Sequence, residues 1–332
     1  MALELMNDVP GFVQLRSATV VKGTPTPFLE EIFTQWIKQN PEDNQHCDYG
    51  ENPMWLLAEM TDAGPDLETL LTKGFPSGKY LNKRTKGARL SLEQAWDIFF
   101  LTAQALASGE QYARFEHRDL HPGNICIKYI DQKSRKTSKN TQSFRPQTNI
   151  EVTIIDYTLS RANLTESTVL AHSMQDKSIF TQKSKNPNDQ KQYDMYRWMR
   201  DIFEGTPRPK GNTSQRWKAY IPMTNVLWLH HLLSILLQET EDFGKDGTGY
   251  TEGSRQKMAS TLANLRTELA PASVSHCDYL TATDVVRPQI AKKAKKGRGD
   301  TGDDSDYLGE TEYMRVLGER RSERMRSAPS TS

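Results

Sequence analysis

The chain has 332 residues, 26% of them charged and 36% hydrophobic, with a formal net charge of +1. That length allows one large domain or two lobes, and near-neutrality excludes a global attraction to nucleic acid or anionic membrane, leaving only local patches for such contacts. Three widely spaced cysteines, Cys47, Cys126 and Cys277, speak against a disulfide framework or a zinc site and fit a reducing compartment.

In chain order, Met1 to Asp8 shows no basic stretch ahead of an apolar run, so no secretory signal is expected. Residues 11–23 read as short strands, Phe12 to Leu15 and Ala18 to Val21, ending at Lys22-Gly23. Leu29 to Lys38 has helical spacing, Asp43 to Asn52 is a polar loop, and Pro53 to Glu59 reads as a buried strand. Gly64-Pro65 breaks the chain before a short helix, Asp66 to Leu71, with an acid at its first turn.

Lys73 to Lys86 is basic and Gly-containing, hence a solvated loop. Ser91-x-x-Gln94 is a capping box opening a long helix, with Ala95, Ile98, Phe99, Thr102, Ala103 and Leu106 on one face. Two strands, Ile125 to Ile127 and Val152 to Ile155, flank a polar, basic insert at 132–147. Residues 162–192 lack periodicity and read as an irregular surface segment. Helices are expected at 193–204, 225–238 and 253–269. The apolar run Val226 to Leu237 is too short to span a bilayer and reads as a buried helix, so the sequence reads as an intracellular protein. From 286 on, basic and acidic runs alternate with few apolar groups, the composition of a disordered tail.

The chemistry gathers in Phe115-Glu116-His117-Arg118-Asp119-Leu120-His121-Pro122-Gly123-Asn124 and in Ile154-Ile155-Asp156-Tyr157-Thr158. An acid, an amide and a second acid in this order suit phosphoryl transfer. Asp119 is the candidate base, orienting an attacking hydroxyl and taking its proton. Asn124, ahead of one strand, and Asp156, ending the next, are candidate magnesium ligands; an acid at the end of an apolar strand is costly to bury unless paired or metal-bound. Each has a plainer reading as a turn residue. His121 either presents a donor to the transferred phosphate or packs the loop. Asp194 is expected to be a buried acid held by backbone amides of the loop, and His230-His231 is read as packing rather than metal. The insert at 133–145 and the run 292–298 read as nucleic-acid or import patches, or equally as solvated segments.

These motifs, with Tyr193-Asp194-Met195-Tyr196-Arg197 and Asn225-Val226-Leu227-Trp228-Leu229-His230, resemble the haspin family of atypical serine/threonine kinases. His121 stands where most protein kinases carry Lys, Asp156-Tyr157-Thr158 replaces Asp-Phe-Gly, and no Ala-Pro-Glu follows. The likeness covers roughly residues 4–285, with insertions at 73–87 and 132–148. It implies an α+β, protein-kinase-like fold: a mainly helical C-terminal lobe at 63–285, a truncated small β lobe and hinge at 1–62, and the charged tail at 286–332. It implies ATP and Mg2+ as cofactors and transfer of the γ-phosphate to a threonine of the histone three tail, in the nucleus during mitosis.

By the same likeness, Met60 is the gatekeeper, Thr61, Asp62, Ala63 and Gly64 form the hinge facing adenine, and Asp66 contacts ribose or peptide. Asp62, Asp66 and Glu68 are candidates for a basic peptide. Pro122 and Asp62 depart from the animal pattern. A histone tail or chromatin is the expected partner, with no membrane and no sequence-specific nucleic-acid contact, and the chain is expected to be a monomer.

A kinase also needs a glycine-rich loop, a strand lysine and a helix glutamate to clamp the phosphates. No Gly-x-Gly-x-x-Gly precedes the catalytic loop, no strand lysine lies in the first ten residues, and Glu4 falls past the expected glutamate. The expectation is a chain starting at the end of that helix, binding Mg-ATP poorly. It would be a fragment of an active enzyme, a degenerate binding module, or a lobe completed by a partner. Leu120 to Asn124 also resembles the loop of aminoglycoside- and choline-type phosphotransferases, an alternative that Asp156 to Arg161 and Tyr193 to Arg197 argue against.

Overall fold

The computed structural model describes residues 2–39, 49–50, 52–75, 90–130, 148–174, 178–205, 216–240, 252–270 and 279–287. The polar loop at 43–48, the basic loop beyond 75, the insert at 132–147, the run 292–298 and the tail beyond 287 lie outside them. The chain divides into two compact units, residues 14–62 and residues 1–13 with 63–332.

The larger unit begins with α1 (Ala2–Leu5) and a 3-10 turn, Met6–Asp8. Residues 1–13, read from the sequence with the small-lobe remnant, cluster here instead. The reason is backbone pairing: Val13 N–H donates to the Ile154 carbonyl at 3.1 Å, and Ile154 N–H to Gly11 at 2.8 Å. Gly11 has φ +82°, and a Cβ there would meet the Ala105 Cβ at 2.5 Å, so the close approach requires glycine. Phe12 then packs its ring on Phe115 and Tyr157, centroids 5.0 and 5.8 Å away.

The smaller unit pairs β1 (Leu15–Lys22) antiparallel with β2 (Met54–Met60), joined through α2 (Pro27–Gln39). Trp55 Nε1 donates to the Gly23 carbonyl at 2.9 Å and closes the end of the ribbon. The Pro53–Glu59 segment is a strand as expected, but it is not buried: Met54 and Leu56 are each 70% exposed. A two-stranded ribbon has no second layer of its own to cover its faces, and Phe28, Leu29, Ile32 and Trp36 of α2 are exposed as well.

Back in the larger unit, α3 (Leu67–Lys73) is capped by Asp66, whose Oδ1 accepts from Thr69 N–H at 2.8 Å. The expected solvated loop therefore starts later than Lys73, and Phe75 is buried. The expected capping box opens α4 (Leu92–Ala113): Gln94 N–H donates to Ser91 Oγ and Ser91 N–H to Gln94 Oε1, an arrangement worth about 1 kcal/mol. The sequence suggests one apolar face, yet α4 is buried nearly all round, Glu93, Asp97 and Glu110 included. It is the central rod of the core, and its acids find distant partners; Asp97, for example, accepts from the backbone and hydroxyl of Thr148.

Next, β3 (Ile125–Tyr129) and β4 (Ile150–Ile154) form an antiparallel pair with Ile125 opposite Ile154. The segment 162–192 is more ordered than expected. It contains most of the pair β5 (Arg161–Asn163) and β6 (Val169–Ala171), then α5 (Ser178–Thr181) and the start of α6 (Pro187–Gly205). The remaining helices are α7 (Met223–Glu239) and α8 (Glu252–Glu268), followed by a helical segment at 282–287 that takes in 286 and 287, assigned from sequence to the tail. As expected, α7 is buried; His231 packs edge-on against Trp228, and His230 Nδ1 lies 3.0 Å from the Arg266 carbonyl. Helices and small antiparallel sheets together make the expected α+β class. No helix among the described residues is long and apolar enough to cross a membrane.

Candidate active site

The loop between α4 and β3 is built from buried polar groups that satisfy one another. Glu116 exchanges two backbone hydrogen bonds with Arg161, both 2.9 Å. Its carboxylate takes Arg118 Nε and Nη2 at 3.2 Å, Ile221 N–H at 2.8 Å and the Thr224 hydroxyl at 2.9 Å. Arg118, with φ +66° and no exposed surface, spends its other donors on the Trp217 and Ala219 carbonyls and stacks over Phe203 at 4.9 Å. A buried charge pair is tolerable only when its hydrogen-bonding capacity is met in this way.

His117 ties the two motifs together. Its backbone N–H donates to Asn225 Oδ1 at 3.0 Å, its Nδ1 accepts from Asp119 N–H at 3.3 Å, and its Nε2 donates to the Ile155 carbonyl at 2.9 Å. Burial lowers its pKa to about 4 against the opposing pull of Ile155 and Asp156, so the ring is neutral at physiological pH. One imidazole thus fixes the backbone of Asp119 and the residue preceding Asp156.

Asp119 is mostly buried, and burial raises its carboxyl to about 6 despite a hydrogen bond from Tyr196 and the nearby His121; Asp156 pushes the same way as burial. Asn124 donates its Nδ2 to the Asp119 carbonyl at 2.8 Å, which leaves Oδ1 as the atom able to face a cation. His121 accepts from Gly123 N–H through Nδ1 at 3.1 Å, so the tautomer this bond favours carries its proton on Nε2, which bonds to no group among the described residues.

Asp156 lies beyond the end of β4, in the left-handed region at φ +57°. The sequence argument for it rested on burial, which the structure corrects: Asp156 is exposed. What holds it is Thr158, whose backbone N–H and hydroxyl both donate to Oδ1. Its residual burial pushes the carboxyl up, but the two Thr158 bonds and the neighbouring histidines bring it below the usual range. Tyr157 accepts from Val13 N–H and donates to the Ile154 carbonyl, each at 3.1 Å. A phenylalanine there would leave the Val13 amide without that partner.

The Asn124 amide oxygen and an ionised Asp156 are hard oxygen donors, the kind magnesium takes together with phosphate oxygens. Among the described residues no cluster of three His, Cys, Asp or Glu side chains could hold a metal by itself. Magnesium, which commonly takes only one or two carboxylates from protein, suits this sparse set.

The hinge candidates divide between the units: Met60, Thr61 and Asp62 fall in the smaller, Ala63, Gly64 and Asp66 in the larger. Thr61 N–H donates to the Gln14 carbonyl at 3.0 Å, and Met60 is exposed. Gly64 has φ +82°, and a Cβ there would sit 2.4 Å from the Ile127 carbonyl oxygen. Both Asp66 oxygens accept from Thr69, so it caps α3 whatever else it contacts. Glu68 lies beside the loop, its Oε2 within 3.0 Å of where a Cβ on Gly123 would be. Burial, then Asp66 and Asp189, raise its pKa.

Asp194 does not do what the sequence suggested. It pairs with Arg197 and accepts from Gln190 Nε2 at 3.2 Å within its own helix, and it is half-exposed. A short helix-to-loop contact comes instead from Tyr196, whose phenol donates to Asp119 Oδ1. Asn225, likewise given no role in the sequence reading, also donates to Glu110 and the Phe115 carbonyl. Its signal was present: an amide opening an otherwise apolar helix must find partners.

The sequence that builds this loop and these strands has counterparts among known proteins. The family described as "Haspin like kinase domain" matches residues 3–286. The chain belongs to that family. A haspin homologue of Drosophila melanogaster, named a serine/threonine-protein kinase, is 28% identical over 71% of the chain and 36% of its own length. A homologue of Schizosaccharomyces pombe is 28% identical over 70% of the chain and 45% of its own length. Mouse haspin is 29% identical over 71% of the chain and 28% of its own length. The haspin-like chain thus spans less than half the length of these relatives.

Proposed function

We propose that this haspin-like chain carries the catalytic loop and metal ligands of an ATP-dependent serine/threonine protein kinase. The observation that carries the reading is the mutual locking of the site. Asn124 holds the Asp119 backbone, His117 spans Asp119 and Ile155, and Ile155 N–H donates to the Asn124 carbonyl at 3.0 Å. Base and metal ligands therefore share one hydrogen-bonded frame, as positioning-dominated phosphoryl transfer requires.

In the reaction, Asp119 aligns the acceptor hydroxyl and receives its proton late in transfer. His121 directs Nε2–H toward the transferred phosphate. Asn124 Oδ1 and the Asp156 carboxylate would hold magnesium, which when bound neutralises phosphate charge. Met60 to Gly64 would face adenine, and Asp66 ribose or peptide. The substrate we propose is a threonine in the histone three tail, on chromatin in the nucleus during mitosis. The relatives' names support the serine/threonine kinase part of this reading; the small-molecule and binding-module alternatives are not favoured.

The test is transfer of labelled γ-phosphate from Mg-ATP to a histone three tail peptide, with small hydroxylated amines as competitor acceptors. Peptide labelling that vanishes in Asp119→Ala is expected. Labelling of amines alone, or labelling that persists in Asp119→Ala, would overturn the proposal.

A further inference from the structure

Asp119 is anchored at three atoms, and only two anchors belong to its own loop. Its backbone N–H is held by His117 and its carbonyl by Asn124. The third anchor comes from α6, where the Tyr196 phenol donates to Oδ1. Among the described residues, Oδ2 accepts no hydrogen bond.

The phenol is itself fixed. Tyr196 is buried, and its ring meets the fully buried Trp228 edge-on at 5.4 Å. Gln192 Nε2 donates to the phenol oxygen at 3.3 Å, so the hydroxyl proton is left to point at Asp119. Burial and the neighbouring Asp119 charge both raise the phenol's pKa, which keeps it a donor.

We propose that Tyr196 is a positioning residue for phosphoryl transfer, holding one Asp119 oxygen so that the other is presented to the attacking hydroxyl. The inference rests on the kinase reading above. With the backbone fixed and Oδ1 bonded, the carboxylate cannot rotate, and Oδ2 keeps one direction. A base that spends its time in a single orientation raises the fraction of reactive encounters without adding to substrate binding. Tyr196 acts through Asp119 and touches no substrate. The neighbouring Asp194 is turned to Arg197 and takes no part.

Tyr196→Phe in the full chain removes the hydroxyl and keeps the ring packing. The expected result is a kcat lower by roughly ten- to hundredfold, with KM for ATP and for the histone three peptide within about twofold of wild type. An unchanged kcat, or a change confined to KM, overturns the proposal. A second measurement does not depend on the variant folding. Proton NMR of the wild type should show a slowly exchanging, downfield hydroxyl resonance; its absence from the wild type also overturns the proposal. A wild type that transfers no phosphate sinks the kinase reading and this inference with it. A competent wild type matched by Tyr196→Phe sinks the inference alone.

Discussion

In the larger unit the polar residues of the Phe115–Asn124 loop and its supports are buried and bonded; in the smaller, apolar residues of the ribbon are exposed. Glu116, His117, Arg118, Asn124 and Asn225 lie out of solvent, and each has named partners. Val20, Leu56, Leu57 and Met60 lie in solvent on a two-stranded ribbon. Burying polar groups is tolerable only where the surroundings are fully determined. The candidate catalytic loop is therefore held within a hydrogen-bonded core, whereas the ribbon has strand sequence without a covering layer among the described residues.

The contrast breaks most sharply at Arg118. Arg118→Ala leaves the Glu116 carboxylate buried without its countercharge and strips donors from Trp217 and Ala219. The expected loss is about 3–5 kcal/mol, the usual penalty for removing one partner of a buried pair. Chemical denaturation would show it as a fall in midpoint at unchanged slope; a loss under about 1 kcal/mol would mean the pair is solvated.

Asn225→Ala should rank second. It removes the acceptor for His117 N–H and the donor to Glu110 and Phe115. Leaving such groups buried and unsatisfied costs about 1–3 kcal/mol each, and some will relax, so a total near 3 kcal/mol is expected. Protection of the His117 amide in hydrogen exchange should fall with it. Stability lost without loss of that protection would place the effect elsewhere.

Much of this architecture is legible in the sequence, and the failures have physical causes. The Ser91–Gln94 box and the spacing of Ala95 to Leu106 announce α4 because capping and periodicity are local. They cannot say that Glu110 will meet Ala282 or Asp97 meet Thr148, so the buried acidic side of α4 stays hidden. The strands β5 and β6 are too short for any period to register. Within Tyr193 to Arg197, helical phase decides whether Asp194 or Tyr196 faces the loop, and that phase is set by packing of Tyr196 on Trp228. In β2 the residues specify a strand, but coverage depends on what lies over it.

The Glu110 contact gives a pH-dependent test of the buried side. Its oxygens accept from Asn225 and from Ala282 N–H, and burial raises its pKa from 4.5 to about 8. The folded state thus keeps a proton that the unfolded state releases. This contribution is complete below about pH 4.5 and is lost as pH rises toward 8, with a slope of at most about 1.4 kcal/mol per pH unit. His117, lowered from 6.5 to about 4, has the opposite sign: its contribution is present above 6.5 and lost toward 4. Between pH 6.5 and 8 Glu110 is left to dominate this pair. Glu110→Gln keeps an acceptor and abolishes the titration, so unfolding free energies of wild type and variant should diverge across that window, the wild type falling. Parallel curves would show that Glu110 is ionised in the folded protein.

The smallest effect belongs to the ribbon. Leu56 is 70% exposed and sits opposite Val20, itself 60% exposed. Leu56→Thr introduces a β-branched strand former and removes only part of one cross-strand contact. Stability should change by no more than about 0.5 kcal/mol, the range of surface substitutions. Light scattering should show less self-association, because contiguous exposed apolar surface is where chains adhere. Should Leu56→Thr instead cost more than about 2 kcal/mol, the side chain must be covered in solution. The difference between the units would then lie in what covers the ribbon, since its sequence already favours burial.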